Sequence, residues 1–246
     1  MTVFPMDDTR PRPASNGMSD TIEIIPTCVS KDEAALSAGS KAIRSFSPSI
    51  HIDIDDGVFT PELTWPYSRP GEFSRFDLSG ASGLVKEVHL MVEEPRTIGI
   101  EFARAGAFRI IAHVEAFSDP TSAHGALDAW KHNGAREAGF ALLMATPLEV
   151  IEPVIPACNV VHLMLIETIG MQGIPFSPRS IMRVADFHER FPDVFISVDG
   201  GVSGSNIVDL VRAGARRFGV GAAISSAIDP AAEYAHLREL AESAIV

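Results

Sequence analysis

Four polar side chains interrupt short apolar runs of the 246-residue sequence, and their types are those that bind metal ions and transfer protons. The four residues are His51, Asp53, His89 and Asp199. Burial of an ionised carboxylate without a partner costs much free energy, so carboxylates in apolar strands usually indicate a function. Two histidines and two carboxylates that converge would suit a divalent transition ion, and zinc, iron, manganese and cobalt all accept such donors.

The elements that would position these residues follow an alternating pattern typical of a parallel α/β fold. The predicted strands are 22–26, 49–54, 87–91, 109–115, 138–143, 160–164, 194–198 and 217–220. The predicted helices are 31–45, 95–105, 122–133, 147–155, 177–190 and 205–213. Eight strands over this length predict a single-domain (β/α)8 TIM barrel. A doubly wound open sheet is the alternative, but no G-x-G-x-x-G follows the first strand and polar residues follow many strands.

A barrel would bring the four side chains together, because its active site lies at the C-terminal ends of the strands. His51 and Asp53 are two residues apart and therefore point to the same face, as does Asp55 if the strand stays regular. Two further histidines, His113 and His162, stand in apolar strands, and each taken alone is interpreted as a hydrogen-bonded core residue.

Glycines follow the last two predicted strands, as the pair Gly200-Gly201 and within the segment 219–221. In barrels this region often holds a phosphate on backbone N–H groups. Such glycines also form ordinary tight turns, so the sequence leaves both interpretations open.

The composition limits the partners of the chain. The formal net charge of −12 argues against nucleic acid, whose binding needs basic patches, but backbone N–H groups could still bind an anionic substrate. No apolar run approaches the ~18 residues that span a membrane. Cys28 and Cys158 have neither metal-binding nor redox spacing and are predicted to be reduced thiols of a cytoplasmic protein.

The N-terminal segment differs from the rest of the chain. Residues 1–20 are polar, contain proline, and lack the basic start and apolar stretch of a signal peptide. We expect residues 1–20 to form a flexible tail without a catalytic role and residues 21–246 to form the catalytic barrel domain.

The polar strand ends resemble those of the ribulose-phosphate 3-epimerase family over about residues 22–224. The combination of an H-x-D-x-x-D-G segment, an H-L-M segment and a late D-G-G is quite specific to this family. The matching segments are Ile25-Pro26-Thr27, His51-Ile52-Asp53-Ile54-Asp55-Asp56-Gly57, Val88-His89-Leu90-Met91-Val92, His113-Val114-Glu115-Ala116, Ala145-Thr146-Pro147-Leu148 and Val198-Asp199-Gly200-Gly201-Val202.

The resemblance implies an epimerase that interconverts D-ribulose 5-phosphate and D-xylulose 5-phosphate by inverting the carbon next to the ketone. It implies one divalent metal on His51, Asp53, His89 and Asp199, with Asp53 and Asp199 as the acid and base on opposite faces of an enediolate. It also implies a homo-oligomer. The implied substrate-binding residues are Thr27, His89, Met91, Gly200 and Gly201. The implied phosphate-binding residues are Gly170, Met171, Gln172, Gly173, Gly221 and Ala222.

Several positions depart from the family pattern, mostly around the implied phosphate. Thr27 and Asp55 stand where the family has Ser and Met. The segment 167–173, Glu-Thr-Ile-Gly-Met-Gln-Gly, replaces an N-P-G-F-G-G-Q loop with one residue inserted, and Ala222 replaces a Ser. Leu143-Met144 replaces Asn-Pro. The metal and proton-transfer residues are therefore kept, whereas the phosphate-binding segments have diverged.

Three alternatives remain at this level. The first is the same chemistry on a different ketose or ketose phosphate, which the diverged loop favours. The second is a lyase or decarboxylase of related barrels, which use a D-x-K-x-x-D segment, but residues 51–57 contain no lysine. The absence of lysine at the other strand ends likewise disfavours a Schiff-base aldolase. The third is a barrel that binds a sugar phosphate without turnover.

Overall fold

The computed structural model describes residues 21–170 and 174–245. Within them the strands are β1 (Glu23–Cys28), β2 (Ser49–Asp55), β3 (Tyr67–Arg69), β4 (Glu72–Phe73), β5 (Val85–Met91), β6 (Arg109–His113), β7 (Glu137–Leu142), β8 (Val160–Met164), β9 (Ile196–Asp199) and β10 (Arg217–Val220). The α-helices are α1 (Glu33–Ile43), α2 (Pro95–Arg104), α3 (Pro120–His132), α4 (Arg179–Arg190), α5 (Ile207–Arg212), α6 (Ala222–Ser225) and α7 (Pro230–Ser243).

Eight of the strands form a closed parallel barrel in the order β1-β10-β9-β8-β7-β6-β5-β2, and helices lie between most of them. Each predicted strand overlaps one barrel strand, so the predicted (β/α)8 fold is confirmed. The remaining pair, β3 and β4, forms an antiparallel hairpin in the segment between β2 and β5, which the sequence analysis did not predict.

Strand β2 shows how the sequence separates the two faces of the barrel wall. Ile50, Ile52 and Ile54 are almost completely buried and belong to the main hydrophobic core. His51 and Asp53 alternate with them and contact polar side chains of other strands. Because successive side chains point to opposite faces, one strand supplies both the packing of the wall and the polar site inside it.

Aspartates determine where three of the helices begin after the C-terminal ends of the strands. Asp32 accepts a hydrogen bond from the backbone N–H of α1, and Asp119 and Asp229 do the same for α3 and α7. Pro120 and Pro230 occupy the first helical positions, where no N–H is needed. These caps fix the ends of loops at the face of the barrel that carries the polar side chains.

One predicted helix, 147–155, is wrong. The structure has 3-10 turns at Leu148–Val150 and Ile155–Ala157 instead. Pro153 and Pro156 lack a backbone N–H, and a proline inside an α-helix also clashes with the carbonyl four residues earlier. The apolar periodicity of this segment therefore reflects packing under the barrel wall and not a helix.

The predicted tail, residues 1–20, lies outside the described residues, so its separation from the barrel domain 21–246 stays a prediction. Among the described residues, no helix is both long and apolar enough to cross a membrane.

Candidate active site

The barrel brings the four predicted ligands together. Asp53 in β2 lies beside His89 in β5 in the sheet register. Oδ1 of Asp53 lies 3.0 Å from Nε2 of His51 and 3.2 Å from Nδ1 of His89. Oδ2 of Asp199, at the end of β9, lies 3.8 Å from the same Nε2 of His51. Residues that are far apart in the chain thus form one cluster inside the C-terminal half of the barrel.

A third histidine, His162 in β8, joins this cluster. Its ring stacks on that of His51, with centroids 5.7 Å apart, and lies 5.0 Å from the ring of His89. Nδ1 of His162 makes a hydrogen bond of 2.9 Å with the hydroxyl of Ser197. The sequence-based interpretation of His162 as a hydrogen-bonded core residue accounts for Nδ1 but not for Nε2, which has no partner among the described residues. His162 lies two residues before Met164, which lines the cavity, so the two side chains point to the same face of the strand. This spacing was the signal in the sequence that could have placed His162 at the site.

His113 lies next to the cluster, on the side of His89 that faces away from Asp53. Its Nε2 lies 3.1 Å from Nε2 of His89, and its Nδ1 lies 3.4 Å from a carboxylate oxygen of Glu115. Burial lowers the pKa of His113 to about 4, so the ring is neutral at physiological pH. A neutral ring can orient His89 through the nitrogen that does not face Asp53.

Glu87 supports the cluster from below. One carboxylate oxygen lies 2.6 Å from Nδ1 of His51, and the other accepts a 2.7 Å hydrogen bond from Arg109. Arg217 lies 3.9 Å from the same oxygen. Burial alone would raise the pKa of Glu87, but His51 and the arginines hold it well below its ordinary value. Glu87 therefore fixes the ring orientation of His51, a role that sequence reasoning missed because it depends on partners from three other strands.

Replacement of Glu87 by glutamine should lower the free energy of unfolding by about 3 kcal/mol, because it removes a fully buried carboxylate that pairs with both Arg109 and His51. Urea unfolding would measure this loss. Glu149→Gln is the matched control, since Glu149 pairs with Arg190 at the surface and its removal should cost less than about 1 kcal/mol. An equal loss in both variants would contradict the role of burial.

The two aspartates have different electrostatic environments. Burial and the neighbouring Asp53 carboxylate together raise the pKa of Asp199 to about 6. Burial alone would also raise the pKa of Asp53, but His51 and His89 lower it below its ordinary value. Environments that push two carboxyl pKa values apart are typical of an acid and base pair.

An open cavity of about 1380 Å³ leads to the cluster. Asp53 and Asp199 line it, whereas the histidines lie beneath and are completely buried. Of the predicted substrate-binding residues, Thr27 and Met91 also line the cavity. The hydroxyl of Thr27 is buried and has no hydrogen-bond partner among the described residues. A ligand in the cavity could supply that partner.

The predicted glycines border the same cavity. Gly200 and Gly201 have φ angles of +110° and +70°, which favour glycine, and a Cβ on either would press against Ile166 or Phe176. Gly170, Gly221 and Ala222 also line the cavity. Met171, Gln172 and Gly173, the remaining residues of the predicted phosphate-binding set, lie outside the described residues.

Two residues that depart from the family pattern, Asp55 and Glu167, make hydrogen bonds to other side chains and not to the ligand cluster. Asp55 is buried and accepts a 2.8 Å hydrogen bond from the hydroxyl of Thr60. Glu167 accepts hydrogen bonds from Arg179 at 2.6 Å and from Ser177 at 3.1 Å. The charge of Glu167 is therefore offset locally.

The donor set fits a divalent transition ion. His51, His89, His162 and Asp199 each offer one ligand atom, and these atoms all lie within 4.8 Å of one another. Asp53 lies against two of the same histidines. Imidazole nitrogens with nearby carboxylates are usual donors for zinc, iron and cobalt.

The comparisons with known proteins agree with this geometry. The chain matches the model of the ribulose-phosphate 3 epimerase family over residues 23–225. The chain belongs to this family. It is similar to the ribulose-phosphate 3-epimerase of Synechocystis sp., with 32% identity over 90% of this chain and 95% of that protein. It is also similar to the cytoplasmic isoform from Oryza sativa, with 31% identity over 89% of this chain and 94% of that protein.

Family membership confirms the resemblance stated from the sequence. The chain is an isomerase of the epimerase type that acts on carbohydrates. Membership of this family favours catalysis over the alternative of a barrel that binds sugar phosphate without turnover.

Solved structures share the fold at low identity. The 3-hexulose-6-phosphate synthase of Salmonella typhimurium has a TM-score of 0.64 and 14% identity, and the match covers 90% of this chain and 99% of that one. The 3-keto-L-gulonate-6-phosphate decarboxylase of Vibrio cholerae has a TM-score of 0.61 and 13% identity over 92% and 99%. These matches support the barrel architecture alone.

Proposed function

We propose that this protein interconverts D-ribulose 5-phosphate and D-xylulose 5-phosphate by proton transfer between two aspartates. The observation that carries the proposal is the placement of Asp53 and Asp199. Both carboxylates line one cavity, both lie against Nε2 of His51, and their pKa values are pushed in opposite directions. Inversion of a carbon needs two proton-transfer groups, one on each side of the substrate.

A divalent cation on His51, Asp53, His89 and Asp199 would supply fixed positive charge that stabilises the negative charge developing on the substrate oxygens. Other side chains of the protein hold these ligand residues in place. Glu87 orients His51, and His113 orients His89. Such supporting hydrogen bonds keep each imidazole nitrogen directed at the site.

The proposed proton steps use the two carboxylates in turn. One aspartate, ionised, removes the proton from the carbon next to the ketone, and the electron pair moves onto the carbonyl oxygen as an enediolate. The other aspartate, protonated, returns a proton to the opposite face of the same carbon. The carbon is inverted, and the two aspartates have exchanged protonation states, so the reverse reaction uses the same pair.

The apolar wall of the cavity limits water around the reacting carbon. Met91, Met164, Ile166 and Ile169 are buried and pack together beside the aspartates. Low water content strengthens electrostatic interactions and protects an enediolate from unwanted protonation. Gly201 and Ala222 also line the cavity, and their backbone N–H groups are the proposed donors to the phosphate.

Replacement of Ala222 by serine should lower the KM for D-ribulose 5-phosphate about tenfold, because a hydroxyl that donates to a charged phosphate adds roughly 1.5 kcal/mol. Steady-state kinetics would measure the change, with kcat nearly constant. Ala223→Ser is the matched control, since Ala223 lines the cavity at the next position. An unchanged KM in A222S would place the phosphate elsewhere.

A second candidate is the same epimerisation on a different ketose. Among the residues that the structure describes, the side chains that line the cavity include one cation, Lys31, and four carboxylates, Asp53, Glu62, Asp199 and Asp229. This balance is less favourable to a phosphate dianion than to a neutral sugar.

The substrate is tested by assays across pentuloses and hexuloses, each free and phosphorylated. Turnover of D-ribulose 5-phosphate at about 1 per second or more, as the best substrate, supports the first proposal. A higher kcat/KM for another ketose would support the second. The predicted homo-oligomer stays a prediction.

A further inference from the structure

The feature that the proposed reaction leaves unexplained is one nitrogen of His162. The ring is completely buried in β8, and its Nδ1 is occupied by the hydroxyl of Ser197. Nε2 has no hydrogen-bond partner among the described residues. A buried polar atom without a partner is costly, so such an atom in a native structure usually has a ligand.

The surroundings of His162 show which ligand would suit it. A ring nitrogen of His162 lies within 4.8 Å of ligand atoms of His51, His89 and Asp199. Three imidazole rings therefore pack around one point at the base of the cavity, and their side chains come from β2, β5 and β8. Neutral imidazole is the form that coordinates metal ions.

Ser197 completes the arrangement. Its hydroxyl bonds Nδ1 of His162 at 2.9 Å, and its own side chain is completely buried. Metal-binding histidines commonly use their second nitrogen in this way, which fixes the direction of the first. His162 thus has the outer hydrogen bond of a ligand, as His51 has with Glu87.

We propose that His162 is an additional metal ligand, so that three imidazoles hold the cation together with the aspartates. This inference rests on the proposed function, because it concerns the same metal site. A third nitrogen donor makes the site favour zinc, cobalt or ferrous iron over manganese or magnesium, which prefer oxygen ligands. With a third imidazole ligand, the metal depends less on Asp53 and Asp199, so these carboxylates can exchange protons more readily.

The test compares His162→Leu with His188→Leu in the full chain. His188 in α4 also has a ring nitrogen without a partner among the described residues, but it packs against Gly214 outside the barrel. Affinities for zinc, cobalt and manganese would be measured by chelator competition, and the visible spectrum of the cobalt form would be recorded. We expect H162L to weaken zinc binding about 10- to 100-fold and manganese binding less, while H188L leaves both unchanged.

X-ray absorption of the zinc-loaded wild-type protein gives a measurement that does not depend on a variant. We expect the signal of three imidazoles per zinc, and two in H162L. Two imidazoles in the wild type, or equal zinc affinity in H162L and the wild type, would overturn the inference and leave the proposed function intact. A wild-type protein that binds none of the three metals would overturn the metal part of the proposed function as well. If H162L does not fold, the wild-type imidazole count decides.

Discussion

Asp199→Asn should reduce epimerisation about 100- to 10,000-fold while leaving the barrel folded. Asparagine keeps the shape of the side chain and the hydrogen bond that Gly200 donates to Oδ1, but it cannot accept or return the proton. Asp53→Asn should have an effect of similar size, because inversion needs both groups. Conversion between the two epimers, followed by NMR in deuterated buffer, would measure the loss of turnover and the incorporation of solvent deuterium.

Asp55→Asn is the matched control for these variants. It changes a buried carboxylate in the same strand, but one whose oxygen is bound by Thr60. We expect its activity to stay within about tenfold of the wild type, which corresponds to roughly 1.4 kcal/mol of transition-state energy. Near-normal inversion in both Asp53→Asn and Asp199→Asn would contradict the two-aspartate mechanism. Thermal unfolding would show that each variant is folded.

Removal of divalent metal by a chelator should reduce turnover at least about 100-fold, and addition of zinc, cobalt, ferrous iron or manganese should restore it. The substrate anion would otherwise form beside two carboxylates without a compensating charge. Loss of a single oxyanion donor already costs about 100- to 1000-fold in enzymes, and a cation contributes more. Metal content by mass spectrometry and turnover would be measured on the same samples.

Thermal stability gives a second measure of the same prediction. A ligand present at 100 times its Kd stabilises the native state by about 2.7 kcal/mol, so the metal-loaded protein should unfold at a higher temperature than the metal-free protein. Dialysis without chelator is the control. Full turnover in protein with only trace metal would contradict a metal-dependent reaction.

The structure also changes the significance of the diverged residues. Glu167, which would add negative charge near a phosphate, is paired with Arg179. Asp55 is bound by Thr60 and does not enter the ligand cluster. Among the departures that the structure describes, the absence of a hydroxyl at Ala222, which lines the cavity, therefore bears most directly on the substrate.

The sequence by itself predicted the barrel strands and the four polar side chains that the closed barrel brings together. Strand β2 illustrates the reason: isoleucines alternate with His51 and Asp53, and this period of two reveals both the strand and its polar face. Charged residues in such a strand are too costly to be accidental. The failed helix at 147–155 and the unpredicted hairpin β3-β4 lie in connecting segments, where apolar residues follow local packing instead of a regular period.

Only the tertiary structure decided which other side chains belong to the site. His162 stands in an apolar strand, where a hydrogen-bonded core residue is the ordinary interpretation, and no role was predicted for Glu87 from the sequence. Closure of the barrel places His162 against His51 and His89, and it sets Glu87 between His51 and a buried arginine. These contacts join residues from separate strands, and sequence spacing cannot specify them because they depend on how the barrel closes. The free nitrogen of His162, on which the third imidazole ligand is proposed, is visible only in that closed arrangement.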